Sequence, residues 1–238
     1  MWLSIAALAM VVTMVGVGGC SGDRAAKTET AGTGAESGLA LRVEGLAEDV
    51  QTDLDSGAWA ASAEKLRQLR ASRDSTVLAL RGARGAGGGD AGPSFGIGPP
   101  DPDAFSAAIQ ALEEAIARRD RLAGLMAANR VSRTLLPLLA AGPGRVPVAV
   151  SALDVAIRDV EYAAESGNWT AAAAMIDEAD SVYAKVREHV AGKSPGLDAT
   201  VRERIASLRW GLHAHDAHAT RPAVDALLED VDRIEATY

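Results

Sequence analysis

The chain has 238 residues, of which 24 are Lys or Arg and 32 are Asp or Glu, for a formal net charge of -8. This acidic balance argues against a nucleic-acid partner and against adhesion to an anionic membrane by charge. Alanine is abundant, whereas aromatic residues make up only 4% of the chain. Because alanine costs least in a helix and lets helices approach closely, the composition favours a helical protein.

The first 19 residues carry no charged side chain. This segment is too short for a convincing membrane-spanning helix and is typical of an export signal. Val17-Gly18-Gly19-Cys20 resembles a bacterial lipobox, which implies cleavage before Cys20 and a diacylglycerol group on its thiol. We therefore expect residues 1–19 to be a lipoprotein signal peptide. The mature protein would be anchored in a membrane of the cell envelope, facing the periplasm or the cell exterior. An ordinary secretory signal or a membrane anchor is the alternative.

Cys20 is the only cysteine of the chain. Once it is acylated, no thiol remains for disulfides, thiolate catalysis, cysteine-ligated zinc or iron–sulfur clusters. The only covalent group expected is then the lipid, and the fold must be stabilised by packing.

Polar residues without a core pattern fill positions 20–38, which predicts a flexible tether to the lipid. Apolar residues then recur at helical spacing over residues 39–55, and Ser56-Gly57 ends this first predicted helix. A second amphipathic pattern covers residues 58–80. Because the connection between them is short, the sequence predicts an N-terminal helical hairpin over residues 39–81.

Residues 82–102 are rich in glycine and then in proline, which predicts a linker. A C-terminal helical bundle is expected over residues 103–238. Its first helix is predicted to be long and to bend at Pro137. Further amphipathic patterns follow over residues 151–165, 169–190, 197–212 and 222–234. With no comparable β alternation, the predicted fold is all-α: an antiparallel up-and-down bundle of about seven helices built from helical hairpins.

A weak internal repeat supports the hairpin interpretation. Asp55-Ser-Gly-Ala-Trp59 is echoed by Glu165-Ser-Gly-Asn-Trp169, so that each copy places Gly at a helix end and Trp in the next first turn. The spacing of 110 residues is far from the roughly 34 of tetratricopeptide repeats. The sequence therefore predicts two similar helical hairpins and not a solenoid.

The layout of the mature chain resembles that of uncharacterised bacterial helical-bundle lipoproteins. The shared features are the lipobox, the polar tether, the Ala-Ala-Asn129 helix, the break at Pro147, the Leu153-Asp154 helix and the Ser-Gly-Asn-Trp169 turn. This resemblance implies a helical envelope protein, and it implies no particular activity or site residue.

His213-Ala-His215-Asp216-Ala-His218 is the candidate metal site, since imidazole and carboxylate groups are ligands for zinc, copper or nickel. On a continuous helix His215 and His218 would share a face, whereas His213 would point elsewhere. The three histidines could converge only if the chain turns here. A solvated polar connection between two helices is the alternative.

Trp210 and Asn129 are candidates for contact with a partner or a ligand. Trp210 lies off the apolar stripe of its predicted helix, where it would either anchor a partner or pack into a helix that is buried on two sides. Asn129 lies near the apolar face of the long predicted helix, where it would either fix helix register, face solvent or bind a ligand.

Three carboxylates, Asp225, Glu229 and Asp232, share one edge of the last predicted helix. Carboxylates on one side of a helix can hold calcium, but the contiguous calcium-loop pattern is absent from the sequence. A solvated acidic face is therefore the expected interpretation.

The sequence contains neither the H-E-x-x-H zinc-protease pattern nor the P-loop pattern. Residues 87–92 match G-x-G-x-x-G and residues 92–96 match G-x-S-x-G, but both lie in the expected glycine-rich linker with no strand pattern before them, so neither has the context of a dinucleotide-binding or hydrolase motif. We therefore expect a lipid-anchored, non-catalytic interaction or scaffold module whose partner is another envelope protein or a cell-wall component. A bundle that binds a metal or small ligand through residues 213–218 is the alternative, and an enzyme with residues dispersed along the chain is a third.

Overall fold

The computed structural model describes residues 24–86, 98–140 and 147–238, without the side chains of residues 24–35 and 85–86. Across these ranges the protein forms eight α-helices and no strand, which confirms the predicted all-α class. The helices are α1 (Arg24–Asp55), α2 (Trp59–Ala86), α3 (Pro102–Arg118), α4 (Arg121–Ala140), α5 (Val148–Glu165), α6 (Trp169–Lys193), α7 (Pro195–Leu212) and α8 (Ala217–Glu235).

The eight helices form two four-helix units with the same pattern of neighbours. In the first repeat (α1–α4), each helix packs against the next, and α4 returns to α1. In the second repeat (α5–α8), the same closed ring forms, with α8 returning to α5. Each repeat has its own hydrophobic core, and the contact of α4 with α5 joins the two.

The first and second helices of the two repeats correspond at an offset of 110 residues. Buried residues of α1 match buried residues of α5: Ala40 with Val150, Val43 with Leu153, Ala47 with Ile157, Val50 with Val160, and Leu54 with Ala164. The turns match as well. Gly57 and Gly167 have φ of 72° and 75°, and the following residues, Ala58 and Asn168, donate to carbonyls five residues back at 2.7 and 2.8 Å. Both helices therefore end in a Schellman motif, which glycine enters at the least steric cost.

The third and fourth helices correspond at an offset of 96 residues. Their buried pairs are Phe105 with Val201, Ile109 with Ile205, Leu112 with Leu208, Val131 with Leu227, and Leu135 with Val231. The connecting turns also match: Arg119 and His215 have φ of 53° and 55°, and the carboxylates of Asp120 and Asp216 cap the next helix. The two offsets differ because the first repeat has a longer connection between its second and third helices.

Several helix boundaries differ from the sequence-based expectation. The helix expected to begin at Leu39 begins at Arg24, so most of the expected tether is helical, and α2 extends through Ala86 into the expected linker. Each residue added to the end of an existing helix forms one more backbone hydrogen bond, and Ala, Lys and Glu have high helix propensity. Residues 1–23 of the expected signal and tether, and residues 87–97 of the linker, lie outside the described residues.

The prediction of one long helix from Asp103 is wrong, because this segment forms two helices, α3 and α4. Arg119 adopts the left-handed conformation, its N–H reaches the carbonyls of Ala115 and Ile116, and the Asp120 carboxylate then accepts from the N–H of Ala123. No glycine or proline marks this break in the sequence. Pro137, the expected bend, lies inside α4.

The N-terminal hairpin is not a separate unit, because α1 packs along α4 and α2 packs along α3. Gly124 of α4 makes room for this contact: a Cβ at position 124 would lie 2.8 Å from Leu54 Cδ1, closer than two carbon atoms approach. Leu54 is itself fully buried. The expected division between residues 39–81 and 103–238 therefore does not follow the cores, which separate at the connection between α4 and α5.

Replacing Gly167 with Ala tests the shared turn. A Cβ in the left-handed conformation costs about 1 kcal/mol, so Gly167→Ala and its equivalent Gly57→Ala should each lower the free energy of unfolding in urea by about that amount. Gly45→Ala is the matched control, because Gly45 is helical with open space at its Cβ position, and this change should raise stability by up to about 1 kcal/mol. Equal effects of all three changes would contradict the turn assignment.

Candidate functional site

The predicted histidine cluster forms the turn between α7 and α8. His213 follows the last residue of α7, and His215 adopts the left-handed conformation. The Asp216 carboxylate accepts hydrogen bonds from the backbone N–H groups of His218 at 2.9 Å and Ala219 at 3.1 Å. Asp216 is thus the N-cap of α8, and its side chain satisfies two amides that the helix leaves without partners.

The turn does not bring the three histidines together as a metal site. The His215 ring stacks on Trp169 of α6, with centroids 5.1 Å apart and ring planes within 12°. His213 and His215 border a groove against α6, whereas His218 borders a different groove beside Arg221 and Pro222. Within residues 24–86, 98–140 and 147–238, no group of three or more His, Cys, Asp or Glu side chains is placed to hold a metal ion.

The groove between α6 and α7 is an open depression of about 570 Å³, which we call the α6–α7 groove. Its lining residues include Asn168, Trp169, Asp177, Arg209, His213 and His215. The Arg209 guanidinium is engaged with Asp177 at 3.0 Å and Asp180 at 2.9 Å. Aromatic, cationic and amide groups therefore lie side by side at the surface of the second repeat.

Trp210 projects from α7 into solvent, with 78% of its surface exposed. It lies one turn before His213, which borders the α6–α7 groove. Trp59 and Trp169, which occupy equivalent positions in the two repeats, instead pack against the first and second cores. Of the two interpretations of Trp210, burial between helices is therefore wrong, and an exposed aromatic surface is what the fold presents.

Asn129 is buried between the two repeats, with only 1% of its surface exposed. Its Nδ2 donates to the Val155 carbonyl at 2.9 Å and to Asp159 Oδ1 at 2.7 Å, both on α5. Arg133 extends this network by binding Asp159 and Glu178, each at 2.7 Å. These contacts fix the position of α4 on α5, so Asn129 sets helix register and is not placed at a surface where a partner could reach it.

Cys20, the expected lipidation site, lies outside the described residues. No helix in the described part of the chain is long and apolar enough to cross a membrane.

Comparisons with known proteins identify no relative. No family model matches the chain, and neither a curated protein nor a solved structure matches it.

Sequence patterns did not single out the acidic residues Glu44 and Glu48 of α1 or Asp154 of α5. In the structure, burial and the carboxylates of Glu48, Asp154 and Glu235 raise the pKa of Glu44 to about 8. Glu44 and Asp154 occupy equivalent positions in the two repeats, at the 110-residue offset that the two turn motifs share. The repeat in the sequence was therefore the signal that could have found this cluster.

Replacing Asp216 with Ala tests its role as a helix cap. The change removes both backbone hydrogen bonds, so it should lower the free energy of unfolding by about 1 kcal/mol, whereas Asp216→Asn should retain most of the stability. Asp120→Ala, the equivalent change in the first repeat, should behave like Asp216→Ala. A full-size loss with Asp216→Asn, measured by urea unfolding, would contradict a capping role.

Proposed function

We propose that this protein is a lipid-anchored, non-catalytic component of the cell envelope that binds a partner through the surface around Trp210. The acylated Cys20 would hold the chain at the membrane, and the two helical repeats would present this surface. The partner would be another envelope protein or a cell-wall component.

The exposure of Trp210 is the observation that carries the proposal. Its equivalent in the first repeat is Glu114, an exposed residue that pairs with Arg118 one turn away. The fold therefore accepts a charged, solvated side chain at this position and does not need a tryptophan there. Because a large exposed aromatic side chain loses much of its contact with water when a partner covers it, tryptophan is enriched among the residues that dominate binding energy.

The neighbouring α6–α7 groove adds polar groups beside this aromatic anchor. His213 lines the groove and directly follows α7, three residues after Trp210. An interface with a central aromatic side chain and polar groups at its rim is the usual arrangement of a protein recognition surface.

Metal binding through residues 213–218 gives no second candidate function, because Asp216 caps α8 and His218 borders a different groove.

Trp210→Ala should weaken partner binding about tenfold or more while leaving the fold intact, because truncation of an aromatic anchor typically costs about 2 kcal/mol. The measurement is crosslinking in intact cells followed by purification, with recovery compared between the wild type and the variant.

Leu78→Ala is the matched control, since Leu78 is 71% exposed but lies on α2 of the first repeat. It should leave recovery of the partner unchanged. Equal recovery with the wild type and with Trp210→Ala would overturn the proposed surface. Unfolding curves of both variants should coincide with that of the wild type, which separates lost binding from lost stability.

Lipidation requires its own measurement. The intact mass of protein purified from native membranes should correspond to cleavage before Cys20 plus the lipid, and Cys20→Ser should release the chain from the membrane fraction. An unlipidated wild-type mass would overturn the anchor without bearing on Trp210.

A further inference from the structure

The α6–α7 groove carries polar side chains that the first repeat lacks at the equivalent positions. Four residues that line it differ in chemistry from their counterparts: Asn168 from Ala58, Thr170 from Ala60, His213 from Ala117, and His215 from Arg119. The first repeat builds the same two turns with matching backbone φ angles. The fold therefore does not require these polar side chains, and contact with a ligand would account for them.

The four side chains supply hydrogen-bonding groups at the protein surface. Asn168 uses Oδ1 to cap α6 through the N–H of Ala171, at 3.1 Å, and offers two N–H donors on Nδ2. Thr170 and His213 are exposed. A hydroxyl group both donates and accepts, as an imidazole ring does in its neutral form. The groove can therefore satisfy a ligand that carries donors and acceptors side by side.

The charges of the groove compensate one another. Arg209 is the only lysine or arginine among the residues that line it. Its guanidinium binds Asp177 at 3.0 Å and Asp180 at 2.9 Å, so its hydrogen-bonding edge is already occupied by carboxylates. An anionic ligand would have to displace these two partners. The arrangement therefore favours an uncharged ligand.

Aromatic rings lie beside these polar groups. The exposed His215 ring stacks on Trp169, and Trp210 precedes the groove residue His213 by three positions, with 78% of its surface exposed. The C–H groups on one face of a sugar ring form an apolar surface that stacks on such aromatic rings, while its hydroxyl groups bind polar neighbours. The groove is also open, whereas a pocket for a small molecule usually encloses about 70–90% of its ligand.

The groove lies at the end of α1 that is farther from Cys20. Arg121 of α4 binds Asp55, the last residue of α1, at 2.7 Å, and also binds Glu165, the last residue of α5. The groove residue Trp169 follows Glu165 by four positions. Because α1 has 32 residues, it spans about 48 Å, and it begins four residues after Cys20. A lipid on Cys20 would therefore anchor the opposite end of α1 from the groove.

We propose that the α6–α7 groove binds a neutral, hydroxyl-rich glycan strand of the cell wall. Trp210 stacks on the face of a sugar ring, and the side chains of Asn168, Thr170 and His213 bind its hydroxyl or acetamido groups. This inference rests on the proposed function, since it names the class of partner for the surface around Trp210. A protein partner fits less well, because protein interfaces have a dry apolar centre, whereas polar side chains line this groove.

Two measurements on the protein purified from its native cells test the inference. Titration with the tetramer of N-acetylglucosamine, followed by calorimetry, should give saturable binding. The protein should also sediment with insoluble cell-wall glycan, and an excess of the soluble tetramer should release it. Because the proposed contacts are uncharged, both results should be the same at about 50 and 500 mM NaCl.

Thr170→Ala and His213→Ala install the residues of the first repeat and should each weaken binding of the tetramer about fivefold, the effect of one lost hydrogen bond. Trp210→Ala should weaken it about tenfold or more. His218→Ala is the matched control, since His218 is an exposed histidine of the same turn that borders a different groove. This control should bind the tetramer as the wild type does.

The glycan inference is overturned if neither the tetramer nor the insoluble glycan binds, if high salt releases the protein, or if Thr170→Ala and His213→Ala bind as tightly as the wild type. Crosslinking in cells separates this failure from failure of the proposed function. A protein partner whose recovery depends on Trp210, together with no binding of glycan, would leave the proposed function standing and contradict only the class of partner. Undiminished glycan binding and crosslinking by Trp210→Ala would contradict both proposals.

Discussion

The packing of α5 is the constraint on which the rest of the structure depends. One side of this helix contributes Leu153, Ile157 and Val160 to the second core. Tyr162, near its end, belongs to the first core, and its hydroxyl reaches Gln51 of α1. Burial of this hydroxyl raises the pKa of Tyr162, so it remains a hydrogen-bond donor over the ordinary pH range. Because one rigid helix belongs to two cores, the arrangement of each repeat limits the position of the other.

Local signals in the sequence predict the individual helices of this fold better than they predict its division into two four-helix repeats. The spacing of apolar residues and the Ser-Gly turns placed the α1–α2 and α5–α6 hairpins correctly, because glycine at positive φ is a local requirement. The break at Arg119 was missed, since a non-glycine residue holds the left-handed conformation there with support from Asp120 and the packing of α3 on α4. The four-helix repeat follows from contacts between distant segments, which no local pattern records.

The candidate site, like the fold, could be predicted only in part from the sequence. Sequence spacing correctly placed Trp210 off the apolar stripe of α7, but the degree of burial depended on whether another helix covered that face. The histidine cluster was predicted to bind a metal on the basis of its residue types alone. In the structure its positions serve the turn: His215 corresponds to Arg119, and Asp216 corresponds to the capping Asp120. Residue types that suit metals thus occupy a connection whose geometry the first repeat builds without a histidine.

Comparison of the two repeats separates the residues that the fold needs from those that it only permits. Positions with the same burial and geometry in both copies, such as Gly57 and Gly167 or Trp59 and Trp169, belong to the shared architecture. Trp210 and its equivalent Glu114 share exposure but differ in chemistry, so selection for packing does not account for the tryptophan. Glu44 and Asp154 show the opposite relationship: the same chemistry recurs at equivalent positions, and the parallel course of α1 and α5 brings the two carboxylates near each other. Burial, and the repulsion between the two copies of this acidic position, therefore raise the pKa of Glu44.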